Sequence, residues 1–218
     1  RGRGTRMFSL AWGLYEWYTK KPQIRILVLG LDGAGKTTVL ERIKHMFRKD
    51  RGGEPGKEAD REKELLLALS KISPTVGLNM GRLEMRGVNV VVWDLGGAEG
   101  LRSIWDKYYA DAHAIVWVVD SADPARFAEA KETLSKVTDE PELEGVPLVV
   151  LANKRDLEGS LPAEEVQHAV LCEQRGIQKR RLVRAVSVSG SSGDGVREAT
   201  VELVDTLKRR IGGVRQGG

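Results

Sequence analysis

Gly30-Leu31-Asp32-Gly33-Ala34-Gly35-Lys36-Thr37 has the spacing G-x-x-x-x-G-K-T, and it follows the strand-like run Ile24 to Leu29. That pattern suits phosphate chemistry. Glycines let successive backbone N–H groups close around phosphate oxygens, and a helix opening near Lys36 would aim its positive end at them. The expected cradle runs through Asp32, Gly33, Ala34 and Gly35 to Lys36, which supplies a point charge for the β/γ-phosphates. Thr37 offers a hydroxyl to Mg²⁺, and Thr38 adds a further phosphate contact.

A phosphate loop alone leaves the base and the reaction open. Asn153-Lys154-Arg155-Asp156 follows the apolar run Pro147 to Leu151, where a parallel strand would deliver it to the ligand edge of a sheet. Asp156 there can accept hydrogen bonds from N1–H and the exocyclic amine of guanine. Adenine would leave that carboxylate facing a lone pair. Ser189-Gly190-Ser191 is expected to bring a backbone N–H to the guanine carbonyl. Between these two ends, Asp94-Leu95-Gly96-Gly97 closes the run Val88 to Trp93, so that Asp94 reaches Mg²⁺ through water and the Gly97 N–H meets the γ-phosphate. Pro74-Thr75-Val76-Gly77 supplies Thr75, a hydroxyl expected on Mg²⁺ only when the third phosphate is present. The ordered set implies a guanine nucleotide switch with GTP/GDP and Mg²⁺ as cofactors. A nucleoside kinase on the same loop would leave N-K-x-D and D-x-x-G unexplained.

Elements that position these residues alternate along the chain. Strand signals at 24–30, 114–120, 147–153 and 182–187 are each followed by helical patterns, at 37–47, 125–138, 163–170 and 196–210, and a strand pair at 78–85 and 88–94 turns at Arg86-Gly87. The fold class expected is α/β: a P-loop NTPase with a six-stranded, mostly parallel sheet, one antiparallel strand and helices on both faces. With 218 residues, 41% of them hydrophobic, the chain fits one such domain with appendages. Residues 1–21 read as a leader and an amphipathic membrane-interacting helix, 22–211 as the nucleotide-binding domain and 212–218 as a flexible tail. Met7, Phe8, Leu10, Ala11, Leu14, Tyr15 and Tyr18 recur at helical spacing, which suits a helix in a lipid interface or one packed back on the domain. Residues 50–70 read as an insertion, a solvated loop whose apolar end, Leu65 to Leu69, forms a helical turn or binds a partner.

Taken in order, G-L-D-G-A-G-K-T-T, P-T-V-G-L-N, W-D-L-G-G, W-D-K-Y-Y, N-K-R-D and S-G-D-G make the chain resemble the Arf branch of the Ras-like small GTPases over about Met7 to Arg210. Within that branch it is most similar to the Arf-related protein 1 group, through Gly13-Leu14-Tyr15, Trp105 to Ala110 and Gly195 to Glu198. The resemblance implies a small monomeric GTPase served by an exchange factor and a GTPase-activating protein. It also implies reversible membrane recruitment from the cytoplasm to the Golgi or trans-Golgi network, in vesicle traffic. By the same resemblance the hairpin between the switches slides on GTP binding, and Leu78, Trp93 and Tyr108 form its exposed effector surface; packing of all three into the core is the alternative.

The chain departs from that family at Ala98, which with Gly97 and Thr75 occupies the catalytic position and stands where the family usually has the glutamine that orients the attacking water. A methyl group orients no water. A hydrolysis-deficient, GTP-bound adaptor is therefore the alternative to a switch that hydrolyses slowly, and the residues leave open an engineered variant, a partner-dependent hydrolase and an exchange-controlled switch. Glu99 could hold water only against repulsion from a triphosphate. Phe8 after Met7 lacks the glycine that N-myristoylation needs. The net charge of +4 sits partly at the chain ends and suits anionic lipid, and no motif for nucleic acid accompanies it. The single cysteine, Cys172, excludes an internal disulfide.

Overall fold

The structure is a computed structural model that describes residues 21–48, 58–171 and 181–214. The expected N-terminal amphipathic segment, the start of the insertion, Cys172 and the end of the tail lie outside those residues. Strands β1 (Gln23–Leu29), β2 (Leu78–Met85), β3 (Val88–Leu95), β4 (Ala114–Asp120), β5 (Leu148–Asn153) and β6 (Val183–Ser187) form one sheet in the order β2-β3-β1-β4-β5-β6. Every pairing is parallel except β2 with β3. Arg86 and Gly87 join these two strands with φ of 54° and 77°, the pair of positive values that a tight two-residue hairpin requires.

Parallel strands covered on both faces need apolar residues at nearly every position, and β5 is buried throughout. Alternation then sorts the side chains. From β1, Leu27 and Leu29 join a core with helices α3 (Phe127–Thr138) and α4 (Ala163–Leu171) and with the 3₁₀ segment Glu99–Asp111. Ile24, Ile26 and Val28 point the other way, into a core with helices α1 (Lys36–Arg48) and α5 (Val196–Val214). Opposite faces of one sheet thus carry separate cores.

One expectation is corrected. The polar stretch read as a solvated loop holds a twelve-residue helix, α2 (Glu58–Leu69). Its residues are mostly strong helix formers, and burial of Leu65 anchors it while Leu66 and Leu67 stay exposed. An open cleft of about 500 Å³ separates parts of α1, α2 and β2.

The sheet order decides where a ligand can sit. The ends of β1, β3, β4 and β5 lie side by side, with Val28 paired to Asp94 and Asp120 to Asn153. The phosphate loop, D-L-G-G and N-K-R-D therefore leave the sheet at one edge.

Candidate functional site

The phosphate loop bends through Gly30, Gly33 and Gly35, all at positive φ. At Gly35 the restriction is double, because a Cβ there would also collide with the side-chain amide of Asn153. Lys36 opens α1 and is buried; it donates to the carbonyls of Gly30 at 3.0 Å and Leu31 at 2.7 Å. An ammonium has three N–H groups, so one remains for a phosphate oxygen. Burial pushes Lys36 down to about 8, against the pull of Asp94 and Asp32. Asp32 is held below the usual carboxylate range by a 2.7 Å hydrogen bond from Arg126.

Three oxygen groups converge next to Lys36. Thr37 Oγ1 donates to Asp94 Oδ2 at 2.7 Å, so its 2.6 Å contact with Thr75 Oγ1 is a hydrogen bond donated by Thr75. Asn79 reaches the same Asp94 oxygen at 3.5 Å. The other oxygen, Oδ1, is buried with no hydrogen-bond partner. Burial raises the Asp94 pKa, with Thr37 and Lys36 opposing. Two hydroxyls and an orphaned carboxylate oxygen are the hard donors a small divalent cation takes, so the residues fit Mg²⁺.

At the other end of the site, Asn153 is buried and uses both ends of its amide within the protein. Its Nδ2 donates to the Ala34 carbonyl at 2.8 Å, and its Oδ1 accepts from the Gly190 N–H at 2.9 Å. The Ser189 N–H goes to the Asp194 carbonyl at 2.9 Å. In this conformation both amides expected near the base are engaged, and their loop is tied to the phosphate loop through Asn153. Lys154, at φ 67°, donates to Asp120 at 2.6 Å and borders a cleft with Asp32, Gly33 and Ala34. Asp156 is exposed. The sequence patterns for phosphate, metal and base are thus brought to one edge of the sheet.

The model of the ADP-ribosylation factor family matches residues 13–51 and 62–207. The chain belongs to the ADP-ribosylation factor family. It is 40% identical to human ADP-ribosylation factor-related protein 1 over 206 residues, covering 94% of this chain and 95% of that protein. Rat ADP-ribosylation factor-related protein 1 gives the same identity and coverage. Yeast ADP-ribosylation factor-like protein 3, from Saccharomyces cerevisiae, is 37% identical over 93% of this chain and 95% of its own length. Among solved structures, the Arl6 BBS3 small GTPase of Trypanosoma brucei with the bound nucleotide analogue GppNp superposes with a TM-score of 0.67 at 26% identity, covering 86% of this chain and 98% of that one. As a member of the ADP-ribosylation factor family, the chain is a small GTPase, a guanine-nucleotide-binding switch of a kind that works with regulators and effectors.

In this Arf-family GTPase, Ala98 caps the 3₁₀ segment with φ −59° and ψ 142° and is exposed, as is Glu99. The preceding Gly97 packs against the phosphate loop so closely that a Cβ would strike Gly30, Lys36 and Asp32. Its carbonyl is held by Arg102 Nε at 2.9 Å. Arg102 also donates to Glu129 Oε1 at 2.6 Å, while Arg126 donates to Glu129 Oε2 at 3.0 Å and to Asp32. Glu129 on α3 thereby joins the phosphate loop to the D-L-G-G segment through two arginines. Sequence reading missed this bridge, since no local spacing marks partners so far apart in the chain.

The three aromatic and apolar residues expected on an exposed effector surface lie together but are not exposed. Trp93 is buried, and Leu78 and Tyr108 are half-buried against the α3 side of the sheet. Tyr108 lies over Trp93 with ring centroids 5.3 Å apart. The reason is the position of β3, which is flanked by β1 and β2 and covered there by the 3₁₀ segment. The exposed apolar side chains near the hairpin are Val76 and Met80.

Proposed function

We propose that this GTPase is a Mg²⁺-dependent switch that hydrolyses GTP slowly on its own. The observation that supports this reading is the convergence of Thr37, Thr75 and Asp94, with its orphaned Oδ1, beside the buried Lys36. Held by Thr37, Thr75 and Asp94, Mg²⁺ would supply positive charge to the nucleotide phosphates. Lys36 donates to the same phosphates, and Gly33, Ala34 and Gly35 line them with backbone N–H groups. Thr75 would report the third phosphate by offering its hydroxyl to the metal, and Gly97 would present its N–H to the γ-phosphate. Asp156 reads the guanine edge, with Lys154 beside it held in place by Asp120. In the loaded state the chain associates reversibly with Golgi or trans-Golgi membrane and recruits effectors through the hairpin face, with Val76 and Met80 outermost and Leu78, Trp93 and Tyr108 behind them.

Ala98 favours a second reading, that of a long-lived GTP-bound adaptor. Nothing on its side chain can orient water, and the neighbouring Glu99 carries the wrong charge for a site facing a triphosphate. Single-turnover hydrolysis of preloaded GTP, compared with Ala98→Gln, tests both. Restoring an orienting amide is expected to raise the rate by on the order of 10²–10³. Equal rates in the two proteins would show that another group positions the water and would remove the adaptor reading.

A further inference from the structure

Arg42 lies in the middle of α1 with its side chain only 4% exposed, yet it carries a full charge. Its guanidinium reaches two elements. Toward the guanine loop, Nε donates to the Gly190 carbonyl at 3.2 Å and Nη2 to the Ser191 carbonyl. Toward α2, Nη1 donates to Glu62 Oε1 at 2.8 Å. The two carbonyls satisfy hydrogen bonds but leave the charge uncompensated; Glu62 supplies the carboxylate.

The contacts around this pair are close. Gly193, in the turn that follows the guanine loop, lies so near α1 that a Cβ would come within 2.7 Å of Met46 Cε and 3.2 Å of Arg42 Cδ. The His45 ring meets the Arg61 carbonyl at 3.1 Å, a second tie between α1 and α2. Gly190 is gripped from both sides, its carbonyl by Arg42 and its N–H by Asn153. Moreover, the family match breaks after residue 51 and resumes at 62, so Glu58 to Arg61 of α2 fall in the break.

We propose that α2 controls how long guanine nucleotide stays bound, with Glu62 and Arg42 as positioning residues for the Gly190–Ser191 loop. The proposal rests on the reading that this loop borders the base. With Glu62 in place, Arg42 is neutralised and its fork stays aimed at the two carbonyls. Without it, a buried guanidinium turns toward water and releases the loop. Because the base is common to GDP and GTP, both nucleotides are affected alike. The cleft between α1, α2 and β2 leaves room for α2 to shift.

The test follows release of fluorescent GDP and of a fluorescent non-hydrolysable GTP analogue from the full chain, chased with unlabelled GDP. Glu62 is 47% exposed, so its replacement leaves the core intact. Glu62→Ala is expected to release both nucleotides about three- to tenfold faster. The same ratio should persist after Mg²⁺ is chelated. Glu62→Gln keeps an acceptor oxygen and falls between, Glu62→Lys is fastest, and single-turnover hydrolysis of GTP that stays bound is unchanged. Release at the wild-type rate in all three variants, or faster release of the GTP analogue alone, overturns the proposal. A parallel chase with ADP separates the underlying reading: if ADP competes as well as GDP, the base assignment itself fails. If it does not, and the variants still release normally, only the control by α2 falls.

Discussion

At the scale of single residues, Lys36 gives the most direct pH dependence. An unfolded lysine keeps its proton to about 10.4. Burial lowers the folded value to about 8. Between those values the unfolded chain binds more protons than the nucleotide-free folded one, so this group makes stability rise with pH across that window. A bound triphosphate acts in the opposite sense, since its charge draws the proton back onto Lys36. Nucleotide binding at about pH 8.5 is therefore expected to take up a proton. Calorimetry in two buffers of different ionisation heat measures that uptake directly, and binding heats that do not depend on the buffer would contradict it. Asp94 shows the same logic with a metal: burial raises its pKa, and a cation against its unpartnered oxygen would lower it again.

Among elements, α3 links two loops that are far apart in sequence. Glu129 accepts from Arg102, which holds the Gly97 carbonyl, and from Arg126, which holds Asp32. If the Gly97 N–H meets the γ-phosphate as proposed, a contact that GDP cannot make, Glu129→Ala is expected to speed release of a GTP analogue several-fold more than release of GDP. Parallel off-rate measurements decide it; equal acceleration of the two would mean that the bridge supports the fold and not the switch. The strands were legible in the sequence because β1, β3, β4 and β5 carry short apolar runs with a polar stop, and because Arg86-Gly87 marks the turn that adds β2 to β3. Helix α2 was not, since its charged first half looks like a solvated loop until Leu65 and Glu62 find α1. Nor was the effector face, because alternation marks Trp93 as facing one side of β3 but not what covers that side. Within the site, Lys36 and Thr37 were named from the spacing of the phosphate loop, and Thr75 and Asp94 from their motifs' place in the ordered set. The structural partners of Asn153, Arg102, Arg126 and Glu129 were not, since each depends on where the sheet brings distant loops.

For the whole molecule, one feature of the fold governs how substitutions combine. The sheet is a partition with a packed core on each face, and side chains from the two cores do not share a cavity. Leu134 on α3 and Leu207 on α5 are both fully buried, one on each side. Either leucine replaced by alanine is expected to destabilise the protein by about 2–5 kcal/mol. Together they should add within about 0.5 kcal/mol, where two leucines of one core would not. Denaturant titrations of the two single variants and the double variant measure the difference, and a large coupling energy would show that strain passes through the strands. If the losses add, the face that carries the 3₁₀ segment and Trp93 can accept change over generations while the face under α1 and α5 keeps its own packing, so that each core can be rebuilt without repair of the other.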